Sequence, residues 1–294
     1  MAVKKKNKRQ PLSLASGRPP TVQRSKSISR KATKSLINKH HLLEKRRQQA
    51  IAKGDEAEVS AVAAEIESLG GIEKYQQASL QGQREDRGGD SSRVLMGWLD
   101  PATSLPKDPD GRRLRLLEVG ALSVDNACSR SGLFDIERID LNSQSKGILQ
   151  QDFMERPLPR DATEKFDLIS LSLVLNFVPD PKGRGEMLLR TLKFLHEADN
   201  CPSTSSELYF PGLFLVLPAP CVSNSRYLDE ERLVAIMASI GYVKVVSKAT
   251  QRLVYYLWKR SFNQPHGSQS FPKEEIRGGP SRNNFAIVLK QSTG

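Results

Sequence analysis

Cysteine is scarce in this 294-residue chain: there are three, Cys128, Cys201 and Cys221, odd in number and far apart. That excludes a disulfide framework and points to a reducing compartment. Four histidines and no Cys-x-x-Cys spacing exclude a structural zinc site, and no metal is expected. No apolar run approaches the roughly 18 residues of a membrane-spanning helix, and mean hydropathy is −0.47. The opening MAVKKKNKRQPLS has no apolar stretch behind its basic residues, so no secretory leader is expected. Missing too are a Gly-x-Ser-x-Gly nucleophile elbow, a G-x-G-x-x-G phosphate loop and any internal repeat.

What the chain does have is an uneven charge. Its net charge is +12. Residues 1–50 hold fifteen Lys and Arg against the single acid Glu44, and the remaining body is close to neutral. A basic arm on a near-neutral body fits a nucleic-acid tether or a nuclear address, and KKKNKR (Lys4–Arg9) has the composition of a nuclear or nucleolar targeting element.

Residues 1–32 mix Lys, Arg, Ser and Pro with almost no large apolar side chains, too few to offset ordering entropy, so a disordered arm is expected. Residues 33–90 read as a helical accessory region. One helix ends at Gly54, and a second carries the stripe Val59, Val62, Ala63, Ile66 and Leu69. A short third helix is expected over residues 72–83. From residue 91 onward the period changes. LRLLEVGAL, ERIDLN, GILQQDF, FDLISLSLVLNFV and GLFLVLPAP read as strands, interleaved with GRGEMLLRTLKFLHEA and Asp229–Ile240 as helices. YVKVVSKAT and NNFAIVLK (Asn283–Lys290) are expected as a closing antiparallel edge. The pattern predicts an α/β domain over residues 91–294: a mostly parallel twisted sheet, helices on both faces.

Ligands of such sheets bind at the carboxyl ends of the strands. The first strand ends at Gly120, where the backbone turns sharply. Asp140 ends the second, 20 residues later, at the spacing of an acid that accepts from both hydroxyls of a ribose. Asp152 ends the third, suited to an adenine amino group, with Phe153 beside it as an apolar face. The fourth ends near Ser172. The first turn, GALSVDN, has Leu122 and Val124 where a phosphate cradle needs glycines. A nucleoside without phosphates fits better, and S-adenosylmethionine is the common one.

The fourth strand runs into Asn176-Phe177-Val178-Pro179 and lacks the Asn/Asp-Pro-Pro-aromatic loop of exocyclic amino methylation. A ring nitrogen with a free in-plane lone pair needs positioning more than a base. Asn176 would hold the base edge and Phe177 would stack on it. The same residues serve equally well as a helix cap and a core side chain.

LLEVGALSVDN, ERIDLNSQSKGILQQDFMERPLP, FDLISLSLVLNFVPDPKGRGEMLLR and GGIEKYQQASLQGQREDRGGDSSRVLMGWL together resemble the fungal 25S rRNA adenine-N1 methyltransferase family, over roughly Leu69 to Lys290. The resemblance implies a Rossmann-like class I methyltransferase fold, S-adenosylmethionine bound through Gly120 and Asp140, and methylation of adenine N1 in large-subunit rRNA. The expected partner is rRNA or a pre-ribosomal particle, and the expected location is the nucleus and nucleolus, with the protein a monomer. The arm, the helical region and the Arg277–Arg282 loop would contact RNA phosphates. A related animal branch resembles a non-catalytic S-adenosylmethionine sensor using the same strand ends. A third expectation is an RNA-binding assembly factor with a vestigial pocket.

Overall fold

The computed structural model describes residues 30–71, 90–99, 113–143, 145–198, 209–261 and 269–290. The Lys4–Arg9 element, the third helix over 72–83 and most of the arm lie outside the described residues.

Two helices form an N-terminal hairpin, α1 (Arg30–Lys53) and α2 (Glu56–Ser68). Gly54, at φ +71°, turns the chain between them, and the Asp55 carboxylate caps α2 by accepting from Glu58 N at 3.0 Å. Leu43, Ala50 and Val62 are buried. Leu42, beside Leu43 on α1, is exposed. Arg46 pairs with Glu58 and lies 3.5 Å from Glu65, which also meets Lys39 at 3.3 Å.

The body is a seven-stranded sheet in the order β3-β2-β1-β4-β5-β7-β6. Its strands are β1 (Leu114–Val119), β2 (Phe134–Asp140), β3 (Leu149–Gln150), β4 (Leu168–Ser172), β5 (Gly212–Pro218), β6 (Tyr242–Ala249) and β7 (Leu253–Arg260). The first five run parallel, and β7 is antiparallel to both β5 and β6. Strands buried on both faces need side chains that are apolar at every position, and LISLS and GLFLVLP are nearly that. Leu117, Ile169, Leu171, Leu213 and Leu215 point to one face, beneath α5 (Pro181–Phe194) and α7 (Glu230–Ser239). Leu116, Leu168, Phe214 and Val216 point to the other, where Leu95 and Leu99 of α3 (Ser92–Leu99) and Cys128 of α4 (Ala127–Arg130) cover them. A further short helix, α6 (Pro220–Ser223), follows β5. Among the described residues no helix is long and apolar enough to cross a membrane.

Two sequence expectations are corrected here. The strand beside β5 is LVYYLWKR, β7, which the sequence reading passed over; Trp258 and Leu257 within it are fully buried. Asn283–Lys290 is not a strand of the sheet. Its apolar side chains Phe285, Ala286, Ile287 and Leu289 are buried, but its backbone meets loops and α5: Val288 N donates to Pro181 O at 2.9 Å and Asn283 N to Asn224 O at 3.0 Å. Residues 283–289 form a strap.

Candidate functional site

The strand order reverses between β1 and β4, and in open α/β sheets the crevice at such a reversal, on the carboxyl edge, takes the ligand. Two backbone features mark it. Gly120, just past β1, has φ +73°. Leu173, just past β4, has φ +59°, a conformation that costs a residue with a Cβ about 1–2 kcal/mol. A Cβ on Gly120 would stand 2.6 Å from Val174 Cγ2. Glycine is therefore needed there both for the turn and because the β4 loop packs onto it.

Three acids stand at successive strand ends. Glu118 is on β1 itself. Asn126 Nδ2 donates to both of its oxygens, at 2.9 and 3.1 Å, and Arg138 Nε lies 3.6 Å away. Burial outweighs both partners and pushes the carboxyl up to about 7. Asp140 closes β2; its Oδ1 accepts from Asn142 N at 2.8 Å. Half burial raises its pKa, and that bond opposes the rise. Asp152 follows β3 and accepts from Met154 N at 2.7 Å.

Other expected residues fall differently. Phe153 is a core side chain, 2% exposed. It packs on Phe194 at 5.3 Å between ring centroids, so its ring offers no open face at the strand ends. The apolar surface beside the acids is Leu141, 64% exposed. Ser172 Oγ is 2.7 Å from Ser91 Oγ, which ties the start of α3 to the end of β4. Asn176 does not cap α5; Asp180 does, accepting from Gly183 N at 2.9 Å. The amide oxygen of Asn176 is buried and has no hydrogen-bond partner among the described residues, while Phe177 next to it is 38% exposed. Arg277, expected on RNA, is committed to carbonyls: it donates to those of Val222, Ser223, Ser225 and Leu228.

Sequence reasoning missed Glu118 and Asp90. Asp90 Oδ2 accepts from Ala127 N at 2.6 Å, and Oδ1 accepts from Ser92 N and Oγ at 2.9 and 2.6 Å. It thereby docks α3 onto α4. The signal for it was Asp before Ser-Ser at a helix start, an Asx turn; for Glu118 it was one acid inside an apolar strand.

Glu118 carries a testable pH dependence. Its folded pKa exceeds the ordinary 4.5, so the native state binds the extra proton between about pH 4.5 and 7. Its contribution to stability then declines as pH rises through that window and is constant outside it. The stability difference between Glu118→Gln and wild type should shift in the variant's favour by roughly 2–4 kcal/mol from pH 4.5 to pH 8. Urea unfolding across that range reads it directly, and a pH-independent difference would show that burial does not dominate this group.

Residues 60–287 match the family described as 25S rRNA (adenine(2142)-N(1))-methyltransferase. The chain belongs to this family. Two relatives are similar over most of the chain. The 25S rRNA (adenine(2142)-N(1))-methyltransferase of Saccharomyces cerevisiae is 41% identical over 226 residues, covering 76% of this chain and 62% of that protein, less than two thirds of its length. The 25S rRNA adenine-N(1) methyltransferase of Schizosaccharomyces pombe is 40% identical over 261 residues, covering 86% of this chain and 89% of that protein. Among solved structures, the 16S rRNA methylase RmtB aligns with a TM-score of 0.42 at 12% identity, over 78% of this chain and 98% of that one. The family match takes in Gly120, Asp140, Asp152, Ser172 and Asn176, and all but the first turn of α2. All of α1 lies before it.

Proposed function

We propose that this chain transfers a methyl group from S-adenosylmethionine to N1 of an adenine in 25S rRNA. Family membership supports this reading, and one observation carries it: the buried amide oxygen of Asn176, which has no hydrogen-bond partner among the described residues, beyond the carboxyl end of β4. A buried acceptor left unmade costs about 1–3 kcal/mol. An adenine N6 amino group brought into the crevice satisfies it, and Phe177 offers the base a stacking face. A non-catalytic sensor would use Asp140 as well but has no need of that acceptor.

The residues present fit the cofactor. Asp140 is an acceptor for the ribose hydroxyls, Leu141 an apolar surface for the adenine ring, and Asp152 an acceptor for its amino group. The carboxylates at the edge suit a ligand that is cationic at both sulfonium and ammonium. Bound there, S-adenosylmethionine supplies the methyl group on its sulfonium. The adenine N1 lone pair needs no base to be freed, so the protein's work is alignment. Asn176 holds N6 as an acceptor. Methylation at N1 leaves positive charge spread over N1, C6 and N6, so the N6–H···Oδ1 bond strengthens as the reaction proceeds. Phe177 holds the ring plane. The Gly120–Val174 contact keeps the β1 and β4 loops, which flank the two ligands, at fixed separation.

The basic arm would supply phosphate contacts, and with KKKNKR it supports work on large-subunit rRNA or pre-ribosomal particles in the nucleolus. The protein would act as a monomer. The test uses the full chain, S-adenosylmethionine with a radiolabelled methyl group and a 25S rRNA transcript. The digest should contain labelled 1-methyladenosine, and a target adenine locked in a stable duplex should be a poor substrate because its Watson–Crick edge is hidden. Label on N6, or none at all, counts against the proposal.

A further inference from the structure

Arg184, on the first turn of α5, is 8% exposed. Its described partners are three carbonyls and a ring. Nε donates to Val178 O at 2.8 Å, a second nitrogen to Pro179 O at 3.4 Å, and a third to Ala286 O at 2.7 Å. The guanidinium carbon lies 4.3 Å from the centroid of Phe285. Val178 and Pro179 belong to the loop that follows Asn176 and Phe177. Ala286 and Phe285 belong to the strap.

The strap is seated closely on both sides of this arginine. Beside it, a Cβ on Gly185 would lie 2.0 Å from Val288 O, so only glycine admits the strap at that point. Val288 N donates to Pro181 O at 2.9 Å. At its other end the strap holds the loop after β5: Ser225 Oγ donates to Phe285 O, and Arg226 N donates to Asn283 O at 3.0 Å. The loops at the ends of β4 and β5 are thus joined through residues 283–288, with Arg184 at the joint.

A buried cation is a costly link between loops when none of its hydrogen bonds goes to a carboxylate; Asp180 acts on this one only through space. Burial holds the Arg184 guanidinium down to about 10. What the arrangement provides that an apolar contact would not is direction: the planar guanidinium fixes two consecutive carbonyls and the strap at set angles. A misplacement of about 1 Å in a group that aligns a reacting atom lowers a rate by about a hundredfold.

We propose that Arg184 is a positioning residue for methyl transfer: braced by the strap, it sets the 176–179 loop so that Asn176 meets the acceptor base. This rests on the function proposed above. Arg184→Lys keeps a cation but cannot serve all three carbonyls in the plane. Phe285→Leu loosens only the ring beneath it and is the milder variant. Steady-state kinetics on the 25S rRNA transcript should show kcat falling at least tenfold in Arg184→Lys and severalfold in Phe285→Leu. KM for RNA and the calorimetric Kd for S-adenosylmethionine should stay within threefold of wild type. The proposal is overturned by wild-type kcat in folded Arg184→Lys, by cofactor affinity falling in step with kcat, or by full kcat in Phe285→Leu should the lysine variant not fold. Failure of the wild-type chain to methylate the transcript would instead strike the function itself.

Discussion

Asn176→Ala should lower the rate of methyl transfer by about a hundredfold at saturating RNA and cofactor. The substitution removes the acceptor proposed for N6, so the base would lose both its anchor and a bond that strengthens as positive charge builds. Cofactor affinity should be unchanged, because Asn176 lies past β4 whereas Asp140, the acid proposed for the ribose, closes β2. Stability should be unchanged or rise slightly, since a buried oxygen without a partner disappears. Asn176→Asp keeps an acceptor in place and should lose less activity than the alanine variant. Single-turnover assays on the 25S rRNA transcript measure both. Wild-type rates in Asn176→Ala would remove the observation on which the base-binding reading stands.

The second large effect is on cofactor binding. Asp140→Ala should weaken S-adenosylmethionine by at least tenfold. Two charge-assisted hydrogen bonds to the ribose are lost, each worth about 1.5–3 kcal/mol, and about 1.4 kcal/mol is one decade of affinity. The acid also supports its own turn by accepting from Asn142 N, so circular dichroism and a thermal melt must accompany the calorimetry. Asp140→Asn retains an acceptor for that amide and separates the two roles. It should melt like wild type and still bind weakly, having lost the charge. A folded alanine variant that binds as tightly as wild type would place the ribose elsewhere.

The five parallel strands and two of the carboxyl-edge acids, Asp140 and Asp152, were legible because parallel strands buried on both faces leave continuous apolar runs, and their polar ends stand out. Asp140 and Gly120 were found that way. Phe153 was misread because an aromatic after an acid at a strand end has two directions open to it, and the sequence does not say which one the following turn selects. LVYYLWKR and NNFAIVLK are both apolar enough for a buried strand. Only the partners of their backbone groups distinguish them: β7 pairs with two strands, whereas the strap's amides and carbonyls go to Pro181, Arg184 and Ser225. Asn176 was legible as a candidate but not as an unpartnered acceptor, because that depends on Asp180 having taken the helix cap. Arg184 reads in the sequence as an ordinary basic residue on an amphipathic helix. Its role depends on a segment about a hundred residues away.

The ion pairs of the N-terminal hairpin bear on how RNA would be held under the proposed function. Arg46 already faces Glu58 and Glu65, and Lys39 faces Glu65. A phosphate reaching these cations competes with a carboxylate of the same molecule, and fewer sodium ions leave the RNA's atmosphere per cation engaged. Counterion release, which sets how steeply binding falls with salt, must then draw mainly on the basic residues that have no internal acid beside them. Before residue 50, fifteen Lys and Arg stand against one acid, Glu44. In the hairpin, Lys39 and Arg46 are already engaged in holding the two helices together.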